Sequence, residues 1–102
     1  MQNLQSQIKQ DKVIIASLFT NSPSIEDEYQ IDELERLINT LGGIVLDRVI
    51  QYRKTIDSKF YIGKGKLKVL YEYALEKKCD YIVINNDISP SHIKNIQKYF
   101  KN

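Results

Sequence analysis

Between Arg53 and Lys68 the sequence gathers six basic side chains, Arg53, Lys54, Lys59, Lys64, Lys66 and Lys68, around Gly63 and Gly65, with Asp57 as the one acid. Glycines and lysines at the start of an apolar-periodic stretch suit an anion. The N–H groups and positive dipole end of a helix attract it, and glycine lets its oxygens come close. Two specific nucleotide motifs fail, however. A Walker phosphate loop needs a glycine five residues before its Gly-Lys pair and a Ser or Thr after it, positions held here by Phe60 and Leu67. The dinucleotide fingerprint needs a third glycine where Lys68 stands. What remains is either a general anion site or a loop that only turns the chain into a helix.

A second group lies at two strand ends: Thr20 and Asn21, then Asn85, Asn86 and Asp87, followed by Ser89. An acid at the carboxyl end of a central strand is where α/β proteins place ligand groups. Asp87 can equally steady the turn that precedes Ser89. His92 with Ser89 and Ser91 makes no nucleophilic triad, because all three fall on one helical turn with no acid to orient the imidazole. No catalytic residue is expected. Tyr52 and Tyr61 flank the basic loop, where they can stack on bases or simply pack. A single cysteine, Cys79, and a single histidine, His92, exclude an internal disulfide and give no basis for a metal site.

These side chains need elements to hold them. VIIASLF, Val13 to Phe19, is a continuous β-branched run that reads as a strand buried on both faces. Ser24 and Asp27 stand at capping-box spacing before the stripe Leu34, Leu37, Ile38 and Leu41, and Gly42–Gly43 ends that helix. IVLDRVIQ is the next strand, and Asp47 and Arg48 at its centre place it at an edge. Leu67, Leu70, Tyr71 and Ala74 mark a second helix, and DYIVIN a third strand. Ser89 and Pro90 then open a third helix with Ile93, Ile96 and Phe100 inward. The order βαβαβα predicts an α/β three-layer sandwich on a small parallel sheet, strand order 2-1-3, with right-handed crossovers. The polar segment 1–12 precedes a single domain spanning 13–102. Strand three would then show an open apolar edge, able to recruit segment 1–12 or a second copy of the chain as a homodimer.

Of the 102 residues, 42% are hydrophobic and 27% charged, an ordinary globular balance. The longest apolar run is far too short to span a bilayer, and the amino terminus lacks the apolar core of a signal peptide, so a cytoplasmic protein with no membrane partner is expected. The net charge of +2 hides a division. From Ser24 to Asp47 there are seven acids against one base, and from Tyr52 to Lys68 six bases against one acid. Such blocks are two solvated faces or a surface that orients on a polyanion.

The run YIGKGK at Tyr61 to Lys66, the strand Tyr81 to Ile84 with Asp87, the ISP start at Ile88 to Pro90, and Asn95 resemble the amino-terminal domain of HflX-type GTPases. The acidic helix ending LGG and the strand leading to Gln51 and Arg53 resemble it as well, so the likeness runs from about Val13 to Phe100. It implies a cytoplasmic domain that docks on rRNA of the large ribosomal subunit and regulates a GTPase. The resemblance assigns GTP and Mg to a G domain which, with the family's helical linker, is absent from this sequence. The chain itself is therefore expected to be a non-enzymatic fragment without a cofactor, partnered by those missing parts. The competing reading is a small-ligand or nucleotide-binding module using Asn21, Asn86, Asp87 and Ser89.

Overall fold

A computed structural model describes residues 10–21 and 23–101; most of the polar segment 1–12 lies outside the described residues. β1 (Lys12–Phe19) leads to α1 (Ile25–Thr40), β2 (Ile44–Tyr52), α2 (Lys64–Lys77), β3 (Tyr81–Ile84) and α3 (Pro90–Lys101). The three strands are parallel in the order β2-β1-β3. The predicted class, order and pairing are all found.

β1 is central, and every residue from Val13 to Leu18 is buried, as its uninterrupted apolar run required. Its alternate side chains serve two cores. Val13 and Ile15 pack with Ile31 and Ile38 of α1, while Ile14, Ala16 and Leu18 pack with Leu67 and Leu70 of α2 and Ile96 of α3. The sheet thus separates α1 from α2 and α3. At roughly 1.5–3 kcal/mol for each fully buried large aliphatic side chain, these residues carry most of the stabilisation.

Ser24 caps α1 through a reciprocal box: its N–H donates to Asp27 Oδ2 at 3.1 Å and its Oγ accepts from the Asp27 N–H at 3.3 Å. At the other end Gly42 has φ 94°, a left-handed conformation that glycine adopts without a Cβ penalty. The inward stripe differs from the predicted one. Leu37 and Leu41 are 56% and 53% exposed, and Ile31, a turn earlier, takes the core position. Ile31, Leu34 and Ile38, spaced three and then four residues apart, keep two members of the predicted stripe and turn the apolar face toward Ile31 and away from Leu37 and Leu41. In α3, Ile96 is buried as predicted but Ile93 is 41% exposed.

β2 holds a bulge. Val13 faces Val45, but Ile14 faces Asp47, so Leu46 is an extra residue in the ladder. Beyond it the faces of β2 are exchanged. Arg48 points to α1, where its Nη2 donates to Asp32 Oδ1 at 2.7 Å and its Nε to Glu35 Oε1 at 3.0 Å. These carboxylates hold the guanidinium above its ordinary pKa, Asp32 first. Without the bulge, Asp47 would meet that acidic helix instead. An edge strand with two central charges is thereby made compatible with its neighbour.

Candidate nucleic-acid interface

The same bulge sets the last two residues of β2. Gln51 opposes Leu18 on the α2 face, and Tyr52 opposes Phe19 on the α1 face. The Gln51 Oε1 accepts from the Gly63 N–H at 2.8 Å, which ties the strand to the start of α2. Gly63 is the cap residue of that helix and offers no side-chain cap, and the first turn holds no acid. The amino end of α2 therefore presents N–H groups and lysines with no carboxylate in its own first turn, and the nearby acid, Asp57, is engaged with the N–H groups of its own loop. A Cβ on Gly63 would come within 2.8 Å of Gln51 Nε2 and 3.0 Å of Arg53 Nη1, so glycine is needed there for space. At Gly65 the reverse holds: a Cβ would meet nothing within 4 Å.

The loop between Arg53 and Gly63 is fixed from within and from outside. Asp57 Oδ2 accepts from the N–H groups of Lys59 at 3.0 Å and Phe60 at 2.9 Å. Asp57 and Tyr61 also exchange backbone hydrogen bonds of 2.8 and 2.9 Å, with Tyr61 at φ 70°. The Phe60 N–H above all, then that of Lys59 and the charges of Arg53 and Lys64, lowers the Asp57 pKa against a smaller opposing effect of desolvation. From α3, Asn95 Nδ2 donates to the Lys59 carbonyl at 2.9 Å. His92 Nε2 lies 3.1 Å from the Ser58 carbonyl, an acceptor, so that nitrogen carries the proton. In the neutral ring Nδ1 then accepts from Ser89 Oγ, 2.7 Å away. The Ser89–His92 pair is thus a latch on the loop. Phe60 is buried beneath it, edge-on to Tyr99 with centroids 5.8 Å apart.

This framework divides the six bases. Lys59, Lys64 and Lys68 surround a cleft of about 450 Å³ with Phe60, Tyr99 and Gly65. Arg53 and Lys54 line a second cleft of about 370 Å³ with Thr20, Asn21, Pro23 and Tyr52. Lys66 lines neither. Arg53 stands between the two, its Nη1 buried with no hydrogen-bond partner among the described residues. Tyr99, contributed by α3, is a wall that no spacing in the sequence announced.

The residues of the competing crevice are not brought together. Asn21 joins the Tyr52 cleft, whereas Asn86 and Asp87 line a separate hollow of about 310 Å³ with Ile82, Ile84, Ile88 and Ile93. Asn86 is already engaged with the backbone of Leu18, and Ser89 with His92 and Ser91. Asp87 is exposed. Among the described residues no group of three or more His, Cys, Asp or Glu is placed to hold a metal ion, and no helix is long and apolar enough to cross a membrane.

Comparison with known proteins places this geometry. The family described as GTP-binding GTPase N-terminal matches residues 28–102. A GTPase HflX of Flavobacterium psychrophilum is 38% identical over 90 residues, covering 86% of this chain and 22% of the relative. The GTPase HflX of Caldanaerobacter subterraneus subsp. tengcongensis is 33% identical over 89 residues, with 87% and 20% covered. That of Lacrimispora saccharolytica is 31% identical over 88 residues, with 86% and 21% covered. The chain spans about a fifth of the length of these relatives. With the basic loop, its α3 latch, β2 and β3 all inside the matched residues 28–102, the chain belongs to the GTP-binding GTPase N-terminal family, as an amino-terminal domain of the HflX type.

Proposed function

We propose that this domain docks on RNA, namely rRNA of the large ribosomal subunit, and so positions and regulates an HflX-type GTPase in the cytoplasm. The observation that carries this reading is the cleft in which Lys59, Lys64 and Lys68 surround the acid-free amino end of α2 beside the open position at Gly65. Three lysine side chains line this cleft beside a helix amino terminus, which suits phosphodiester oxygens approached closely by backbone. The role is docking rather than chemistry. GTP and Mg belong, in this reading, to a G domain and linker that are the domain's partners within a longer protein. The alternative, a small ligand at the strand ends, is weakened because Asn86 is already spent on the sheet.

Association with isolated large ribosomal subunits across a salt series tests the reading. Replacing Lys59, Lys64 and Lys68 together by Ala should make the plot of log affinity against log salt shallower by about 2, since each lost phosphate contact removes roughly 0.7–0.9. Lys66→Ala, outside both clefts, should change little. Equal affinities and slopes for the parent and the triple variant would remove this cleft from the mechanism.

A further inference from the structure

The second cleft carries a more exposed aromatic ring than the first, whose Phe60 is buried and whose Tyr99 is half-buried. Among the aromatic residues of the basic stretch, Phe60 is buried and Tyr61 packs edge-on to His92 with centroids 5.5 Å apart. Tyr52 is 40% exposed. Phe19 backs it at 5.5 Å and 27°, which fixes the plane of the ring. Around it stand Arg53 and Lys54, the amide of Asn21 and the hydroxyl of Thr20, while its own hydroxyl faces Asp27 and Glu28 at the start of α1.

A ring held in one plane, with charge on one side and small polar groups on another, matches the parts of a nucleotide. The aromatic face takes the base, the cations take the phosphate, and an amide reaches the base edge. Because the bulge turns Tyr52 away from the face that holds Gln51 and the start of α2, the two clefts lie on opposite faces of the end of β2. Arg53 spans the gap, lining the Tyr52 cleft while its Nη1 reaches Gly63. A chain bound at both must bend around the sheet end and turn a base out of its stack, which an unpaired strand does readily and a duplex does not. Resting on the docking reading above, the geometry points to unpaired RNA as the partner, with a flipped-out base stacked on Tyr52 and the neighbouring phosphates on Arg53 and Lys54.

Fluorescence anisotropy with three labelled probes of about ten nucleotides tests this: a single-stranded oligouridylate, the same strand carrying abasic sites throughout, and an RNA duplex of equal length. The single strand should bind roughly five- to a hundred-fold more tightly than the abasic strand, the range expected for stacking of a base on an aromatic ring, and more tightly than the duplex. Tyr52→Leu should abolish that preference without changing the salt slope, and Tyr52→Phe, which keeps the ring, should retain it. Equal binding of oligouridylate and abasic strand, or an unaltered preference in a folded Tyr52→Leu variant, would overturn the base pocket while leaving the lysine cleft intact. Failure of all three probes to bind would overturn both readings.

Discussion

The side-chain amide of Asn86 pairs with both backbone groups of Leu18: its Oδ1 accepts from the Leu18 N–H at 2.9 Å and its Nδ2 donates to the Leu18 carbonyl at 2.9 Å. A side chain thereby imitates one more rung of ladder after β3 has ended at Ile84.

Because Leu18 is buried, removing that amide strands a buried donor and acceptor. Asn86→Ala should cost about 2–3 kcal/mol in urea unfolding, whereas Asp87→Ala, one residue on and exposed, should stay within about 0.5 kcal/mol of the parent. A large loss for Asp87→Ala would show that its carboxylate steadies the turn before α3.

Gly65 gives the opposite expectation. It lies in the first turn of α2 with open space where a Cβ would go, so packing does not require it and its backbone freedom is a cost. Gly65→Ala should raise stability by about 0.5 kcal/mol while weakening association with ribosomal subunits, because the added methyl occupies the approach to the helix end. A stability gain with unchanged association would place the phosphate elsewhere.

Asp57 supplies a pH dependence with a definite sign. Its carboxylate is held below the ordinary value, chiefly by the Phe60 N–H. Its stabilising contribution is therefore fully present above the unfolded-state pKa near 4 and disappears as pH falls through the lower folded value. Asp57→Ala should be less stable than the parent by about 1 kcal/mol at pH 7. That gap should close progressively in thermal melts taken below about pH 4. A gap that persists unchanged to pH 2 would assign the effect to packing instead of charge.

Strand order, parallel pairing and the caps were legible in the sequence because each rests on local chemistry: a β-branched run, a Ser-x-x-Asp box, a glycine pair, an Ile-Ser-Pro start. The apolar face of α1 was read partly rotated, right at Leu34 and Ile38 but not at Leu37 and Leu41, since Leu34, Leu37, Ile38 and Leu41 fit a helical stripe as well as Ile31, Leu34 and Ile38 do. Only the packing against Val13 and Ile15 decides between them. The basic loop was visible as a charge block, but its division into two clefts was not. That division depends on Tyr99, Asn95 and His92, which come from a helix some 30 residues downstream.

Among the described residues the outer edge of β3 is unpaired, and apolar hollows flank it on both faces. Ile82, Ile84, Ile96 and Phe100 line one of about 340 Å³, and Val13, Ile38 and Val83 another of about 160 Å³. We expect a second copy to add to this edge in isolation. Sedimentation should show mass rising with concentration, and Tyr81→Glu, at the rim of both hollows, should hold the chain monomeric. A parent that stays monomeric at high concentration, with fast amide exchange from Tyr81 to Ile84, would count against it.

The extra residue at Leu46 also sets what kinds of genetic change the domain can absorb. Loss of the codon for Leu46 or Asp47 would only straighten the ladder and keep the pairs beyond it, whereas loss of a codon past the bulge, at Val49 or Ile50, would rotate the remainder of β2 by half a turn. In that second case Arg48 would keep Asp32 and Glu35, but Gln51 would leave Gly63 and Tyr52 would swing to the face of α2. Most point substitutions along β2 alter one contact; a single in-frame deletion past the bulge would recast both clefts at once, with the composition almost untouched.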